Sequence, residues 1–172
     1  MKTQLMPKRG DFLTLSEDDR ADGFARKFFG TVRLLRAAWP ILKQRKGSVV
    51  NIAGVGGRTP GAKFTIGVSV NAAMLSFTKA MADVGVRDGV QANAINPGAV
   101  RTARLVTRLQ TLSKEKGISA AEAEALMVVD SGTTKIGESQ DVANLVAYIV
   151  SPQNRYLHGA LIDLDGGTTK TM

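Results

Sequence analysis

The 172-residue chain contains no cysteine, which excludes disulfides, thiolate metal sites and a cysteine nucleophile. Its single histidine, His158, has no second candidate ligand nearby in sequence, so a surface or hydrogen-bonded role is expected rather than a metal site. Long apolar runs are also missing, and none approaches the roughly 20 residues that span a bilayer. No apolar stretch follows the basic residues among the first nine, so no secretory signal is expected and the cytosol is the expected compartment.

Acidic residues are the scarcer sign, 15 against 23 Lys and Arg, giving a net charge of +8. Residues 1–47 hold eleven of the basic residues and five of the acidic ones, so most of the excess sits there. Arg26, Arg33, Arg36 and Lys43 are spread among apolar positions, without the aromatic interleaving of a nucleic-acid stacking surface. A solvated basic face is therefore expected, and specific nucleic-acid binding is not. Asp163 and Asp165 do not read as a catalytic pair, and Asp141 reads as a favourable charge at a helix N-terminus.

What is present is an ordinary globular composition, 44% hydrophobic and 22% charged. Residues 1–15 read as a tail or loop, and 16–172 as one domain. Ser16 followed by Asp19 predicts a capped helix start near Glu17. A helical pattern then runs to Lys43, with Phe24, Phe28, Val32, Leu35, Trp39 and Leu42 on one stripe. Phe29, Leu34, Ala38 and Ile41 extend apolar character to a second side, and Pro40 is expected to kink or end the last turn. The β-branched run 47–53 predicts a buried strand, followed by the glycine-rich loop of Gly54, Gly56, Gly57 and Gly61. Residues 68–84 predict a deeply packed helix, and 90–95 a second strand ended by Asn96-Pro97-Gly98. Residues 102–130 predict helices broken near Gly117, with Ser119 as a cap. Glu138–Ile149 predicts an amphipathic helix, and 160–164 a last strand. Strands alternating with helices imply a parallel sheet with right-handed crossovers.

Four segments carry a family resemblance in register: Gly47-Ser-Val-Val-Asn-Ile-Ala-Gly54, Ala72 to Ala82, Val90-Gln-Ala-Asn-Ala-Ile-Asn-Pro-Gly-Ala-Val-Arg-Thr102, and Leu161-Ile-Asp-Leu-Asp-Gly-Gly167. Together they make the chain, from about residue 12 to 167, similar to the short-chain dehydrogenases/reductases. The implied fold is α/β: a partial Rossmann-like, doubly wound parallel sheet of about three strands with flanking helices. The resemblance also implies that this is the family's C-terminal half. Nothing before Ser16 resembles the first strand and glycine-rich turn that hold a dinucleotide pyrophosphate. Gly54-Val-Gly-Gly57 lacks both the third glycine and a following helix start.

Family chemistry is hydride transfer between a nicotinamide cofactor and a carbonyl or alcohol. A tyrosine acts as acid/base, helped by a lysine, a serine and an asparagine. By the same resemblance the lysine position here is Asn71, the tyrosine position Gly67, the serine position Gly54 and the asparagine position Lys27. Glycine has no group to move a proton, and an amide has no charge with which to stabilise a phenolate. No catalytic residue is therefore expected. Ser69, Thr65, Lys63 and Tyr148 are the nearest candidates for a relocated acid/base. Pro97, Gly98, Val100 and Thr102 match the loop that contacts nicotinamide in the family, although a turn between strand and helix explains them equally well. No bound cofactor is expected for this chain, and NAD or NADP would be the family's.

Three functions follow as expectations. The first is an inactive family homologue that self-associates as a homodimer or tetramer through helices at about 22–43 and 68–84. The family pairs subunits through these helices, and a bare strand at 48–53 would need covering. The second is part of an NAD(P)-dependent oxidoreductase acting on a carbonyl or alcohol. The third is a basic module for an acidic partner.

Overall fold

The computed structural model describes residues 7–171. Helix α1 (Glu17–Gly23) begins at Ser16, whose Oγ accepts the Asp19 N–H at 3.1 Å while Asp19 Oδ2 accepts the Ser16 N–H at 3.1 Å. The chain then takes a π-helical segment, Phe24–Phe29, before α2 (Gly30–Arg45). Such segments are rare and change which side chains face inward. Phe28 turns into the core, edge-on to Phe24, Phe29 and Phe77. Pro40 does not end α2, which continues to Arg45 and stops where Lys46 takes a left-handed conformation.

Strand β1 (Ser48–Ile52) leads through the glycine-rich loop to α3 (Thr65–Asp88), and α3 to β2 (Gln91–Pro97). A short β3 (Val100–Arg101) precedes α4 (Ala103–Lys116) and α5 (Ala120–Ser131). Gly117 closes α4 in the left-handed region, and Ser119 with Glu122 caps α5 reciprocally. Then follow β4 (Gly137–Glu138), α6 (Ser139–Val150) and β5 (Leu161–Leu164). The expected three-stranded sheet is there, parallel, in the order β1-β2-β5, with Ser48 opposite Gln91 and Ala94 opposite Leu161. The small parallel β3–β4 pair is an addition that the sequence pattern did not suggest.

On one face of the sheet, Leu35 of α2 and Ala82 of α3 close over Val49, Val90 and Ala92, with Trp39, Leu42, Phe77 and Met81 around them. Helix α6 packs against β1 and β2. Central β2 is buried from Gln91 to Asn96, its polar residues included. Those side chains hold the loop before β5: Asn93 donates to Leu157 O at 2.8 Å and accepts from Ala160 N at 2.8 Å, and Gln91 donates to Asn154 O at 2.8 Å. Apolar-polar alternation in β2 therefore marks hydrogen-bonded burial rather than a wet face. His158 joins the same layer, accepting from Ala92 N at 3.3 Å and lying 2.7 Å from Ala82 O.

Among the described residues no strand pairs with the outer edge of β1. Residues 7–15 lie elsewhere: Leu15 packs with Ile66 and Val70, and Gly10 N donates to Lys63 O at 3.2 Å. No described helix is long and apolar enough to cross a membrane.

Candidate ligand-binding cleft

A cavity of about 880 Å³ opens where β1, β2, the π-helical segment and α3 meet. Its apolar walls include Ile52, Val55, Val68, Val100 and Val142. Volumes of this order suit small-molecule ligands. Pro97, Gly98, Val100 and Thr102 all line it. Gly98 N donates to Leu164 O at 3.0 Å, and a Cβ on Gly98 would lie 2.9 Å from Asp165 Cα, so this turn needs glycine for its close approach. The Thr102 hydroxyl caps α4, accepting from Leu105 N at 3.4 Å.

Gly54, Lys27 and Asn71 also line the cavity. Lys27 Nζ donates to Asn71 Oδ1 at 2.7 Å and to the carbonyl of Ala53, the residue just after β1. Burial without a counter-anion brings its pKa down to about 8, because desolvation penalises the charged form. The cleft thus holds an ammonium, delivered from the π-helical segment. No local sequence signal shows that Lys27 reaches Asn71, 44 residues on.

The place beside Gly67 is filled. Gly67 is buried, and a Cβ there would overlap the ring of Phe64. Phe64 ends a 3-10 turn, Ala62–Phe64, just before α3, and Arg9 stacks on the ring with its guanidinium 3.9 Å from the centroid. Gly54 has φ 131°, outside the range of ordinary side chains, and a Cβ there would lie 3.0 Å from Asn71 Nδ2. A serine at residue 54 would need a different backbone.

None of the four relocated candidates lines the cavity. Ser69 Oγ turns back to Thr65 O at 2.9 Å, Lys63 is exposed, and Tyr148 is exposed on α6. The described hydroxyls that do line it are Thr31, Thr59, Thr102, Ser139 and Thr168. Gly54-Val-Gly-Gly57 forms a 3-10 turn at Val55–Gly57 rather than the start of a long helix, so its amides are not stacked at a helix terminus as a pyrophosphate site requires. No group of three or more acidic or histidine side chains suited to a metal occurs among the described residues.

A parallel sheet flanked by helices, with a cleft at the strand C-termini, defines a Rossmann-like α/β protein. A family model described as enoyl-(acyl carrier protein) reductase matches residues 3–169, and the chain belongs to the short-chain dehydrogenase/reductase family. It is 26% identical over 156 residues to the NADPH-dependent reductase BacG of Bacillus subtilis, covering 90% of this chain and 60% of that protein. It is 28% identical over 157 residues to a 7alpha-hydroxysteroid dehydrogenase of Bacteroides fragilis, covering 91% and 57%. The fold is similar to that of L-sorbose reductase from Gluconobacter frateurii, solved with NADPH and L-sorbose: TM-score 0.91, 20% identity, 97% of this chain and 64% of that one. A Pseudomonas aeruginosa short-chain oxidoreductase, solved with NADPH and described as containing an atypical catalytic center, has TM-score 0.86 at 19% identity, covering 97% and 63%. The chain spans about 60% of the length of the curated relatives it matches.

Proposed function

We propose that this chain is a family member that binds a ligand in the cleft without performing the family's proton-coupled hydride transfer, and that it pairs with a second copy. The observation that carries the first part is the Phe64 ring lying where a side chain at Gly67 would have to pass. No tyrosine lines the cleft among the described residues, and its one lysine, Lys27, has no phenol to activate, so the family's tyrosine-lysine acid/base couple is missing. General acid–base catalysis contributes roughly 10²–10⁴-fold, so its loss leaves little of the reaction.

For a nicotinamide cofactor the fit is partial. The backbone of Pro97, Gly98 and Val100 suits a nicotinamide end, where the cofactor would supply hydride when bound. The described residues offer no glycine turn at a long helix N-terminus for its phosphates. Self-association is supported by Leu34 and Ile41, 69% and 60% exposed and seven residues apart on α2, and by Val86, 73% exposed on α3. Apolar side chains so placed favour burial against a symmetry mate.

The test is to incubate the purified protein with NADH or NADPH and a panel of small ketones and aldehydes, with light scattering in parallel. No protein-dependent loss of absorbance and a mass of twice the chain or more are expected. Steady turnover overturns the first part, and a monodisperse monomer the second. A second reading, that the chain is part of an active oxidoreductase on a carbonyl or alcohol, is favoured by one observation: an ammonium of lowered pKa shares the cavity with Pro97, Gly98 and Thr102.

A further inference from the structure

The charges lining the cleft are of one sign. Lys27, Arg9 and Arg26 line it, and no carboxylate does among the described residues. Arg26 is shared with Asp22 at 2.6 Å. Lys27 and Arg9 form no ion pair among the described residues. Some cations outside the cleft do meet acids: Arg101 holds Glu124 at 2.7 Å and Glu138 at 2.9 Å, and Lys43 holds Asp88 at 2.8 Å. Arg9, exposed at the mouth, has its pKa lowered by partial desolvation and then by the like charges of Arg108 and Arg104 of α4. A buried cation without a partner is costly, and a concave apolar wall focuses its field. Two of the three donors of Lys27 are taken by Ala53 O and Asn71 Oδ1, which leaves one for a ligand.

We propose that the cleft takes a small organic anion of dicarboxylate type, received by Lys27 inside and by Arg9 at the exposed rim. This rests on the reading of the cleft as a ligand site and adds the ligand's class. The anion supplies the counter-charge that the fold leaves out, and the surrounding valines exclude water from the contact. Arg9 is fixed for this by its stacking on Phe64, whose ring fills the place beside Gly67.

The test is calorimetry of the full chain with glutarate, with glutaramide as its uncharged match, and with inorganic phosphate and NADPH as separate arms. Each probe is measured on the wild type, Lys27→Gln, Arg9→Gln and the exposed control Lys116→Gln. Glutarate is expected to bind and glutaramide not. Lys27→Gln and Arg9→Gln are each expected to weaken glutarate by about tenfold, the size of one charged hydrogen bond, with Lys116→Gln unchanged. Melting curves check that each variant is folded, and Lys27→Gln, which removes a buried charge, is expected to melt no lower than wild type. Equal binding of glutarate and glutaramide, indifference of glutarate to both substitutions, or no glutarate binding at about 10 mM overturns the proposal. So does phosphate binding alone, or NADPH binding alone weakened by those substitutions, since the cations would then serve phosphates. Turnover is a separate readout: activity with glutarate binding intact defeats only the inactive reading, and failure of glutarate to bind without turnover defeats only this one.

Discussion

Lys27 Nζ lies 2.7 Å from Asn71 Oδ1, joining the π-helical segment before α2 to the buried side of α3 across 44 residues of chain. The carbonyl of Ala53 takes a second ammonium hydrogen. The cleft thus carries a positive charge, and no tyrosine lines it among the described residues.

Burial sets the sign of the first prediction. Lys27 titrates at about 8 in the fold, below its ordinary 10.5. Below about pH 8 it is charged in both folded and unfolded chains, and the burial penalty is present in full. Between pH 8 and 10.5 the unfolded chain binds the proton and the folded one does not, so this group's contribution grows more favourable as pH rises. Lys27→Met is therefore expected to be more stable than wild type at pH 7, by on the order of 1–3 kcal/mol. That advantage should shrink toward pH 10.5 in urea titrations. A less stable Lys27→Met at pH 7 would mean that the ammonium is already well compensated.

A second prediction concerns Gly67 and Phe64. Gly67→Ala forces a methyl group into the Phe64 ring, which should cost about 1–3 kcal/mol as overpacking. In a Phe64→Ala background the same change should cost almost nothing, a coupling that a double-mutant cycle reads directly. Additive losses would mean that the ring is free to leave.

Acid stability has its own reporter. Asp88 accepts from Trp39 Nε1 at 2.8 Å and from Lys43 Nζ at 2.8 Å, and these bonds hold its pKa down to about 2 from 3.8. Its contribution is complete above about pH 4 and is lost as pH falls through 2, because the unfolded chain takes up the proton first. Trp39 is the chain's only tryptophan, so its fluorescence reports this site. Asp88→Asn is expected to lower the melting temperature at pH 7 and to flatten its fall between pH 4 and 2. An unchanged acid profile would argue that the contact is not formed in solution.

The outer stripe of α2 gives a fourth. Leu34→Asp with Ile41→Asp places charge on exposed positions, so folding should be nearly unaffected. Scattering mass is expected to fall to that of one chain, whereas an unchanged larger mass would place the interface elsewhere.

Much of the fold was legible because it is written locally. The Ser16 capping box, the Ser119 cap, the stop at Gly117 and the three strand segments follow from spacing and turn chemistry. What escaped depends on partners far along the chain. The π-helical segment has no residue signature of its own, and the β3–β4 pair is two residues long on each side. Of the cleft, the glycines at 54 and 67 and the turn at Pro97-Gly98 were readable. Lys27 reaching Asn71 was not, because it requires knowing which side chains α3 meets, and the Phe64 ring over Gly67, three residues on, depends on the 3-10 turn that enters α3.

The most direct test of the central claim is a single turnover with protein in excess of 4-deuterated NADPH and a carbonyl panel that includes 2-oxoglutarate, with the alcohol products read by mass spectrometry. The account predicts no deuterium in product above the protein-free control, in wild type and Lys27→Met alike. Deuterium transfer approaching one equivalent in the wild type, abolished in Lys27→Met, would contradict it and make Lys27 the proton donor of an active cleft.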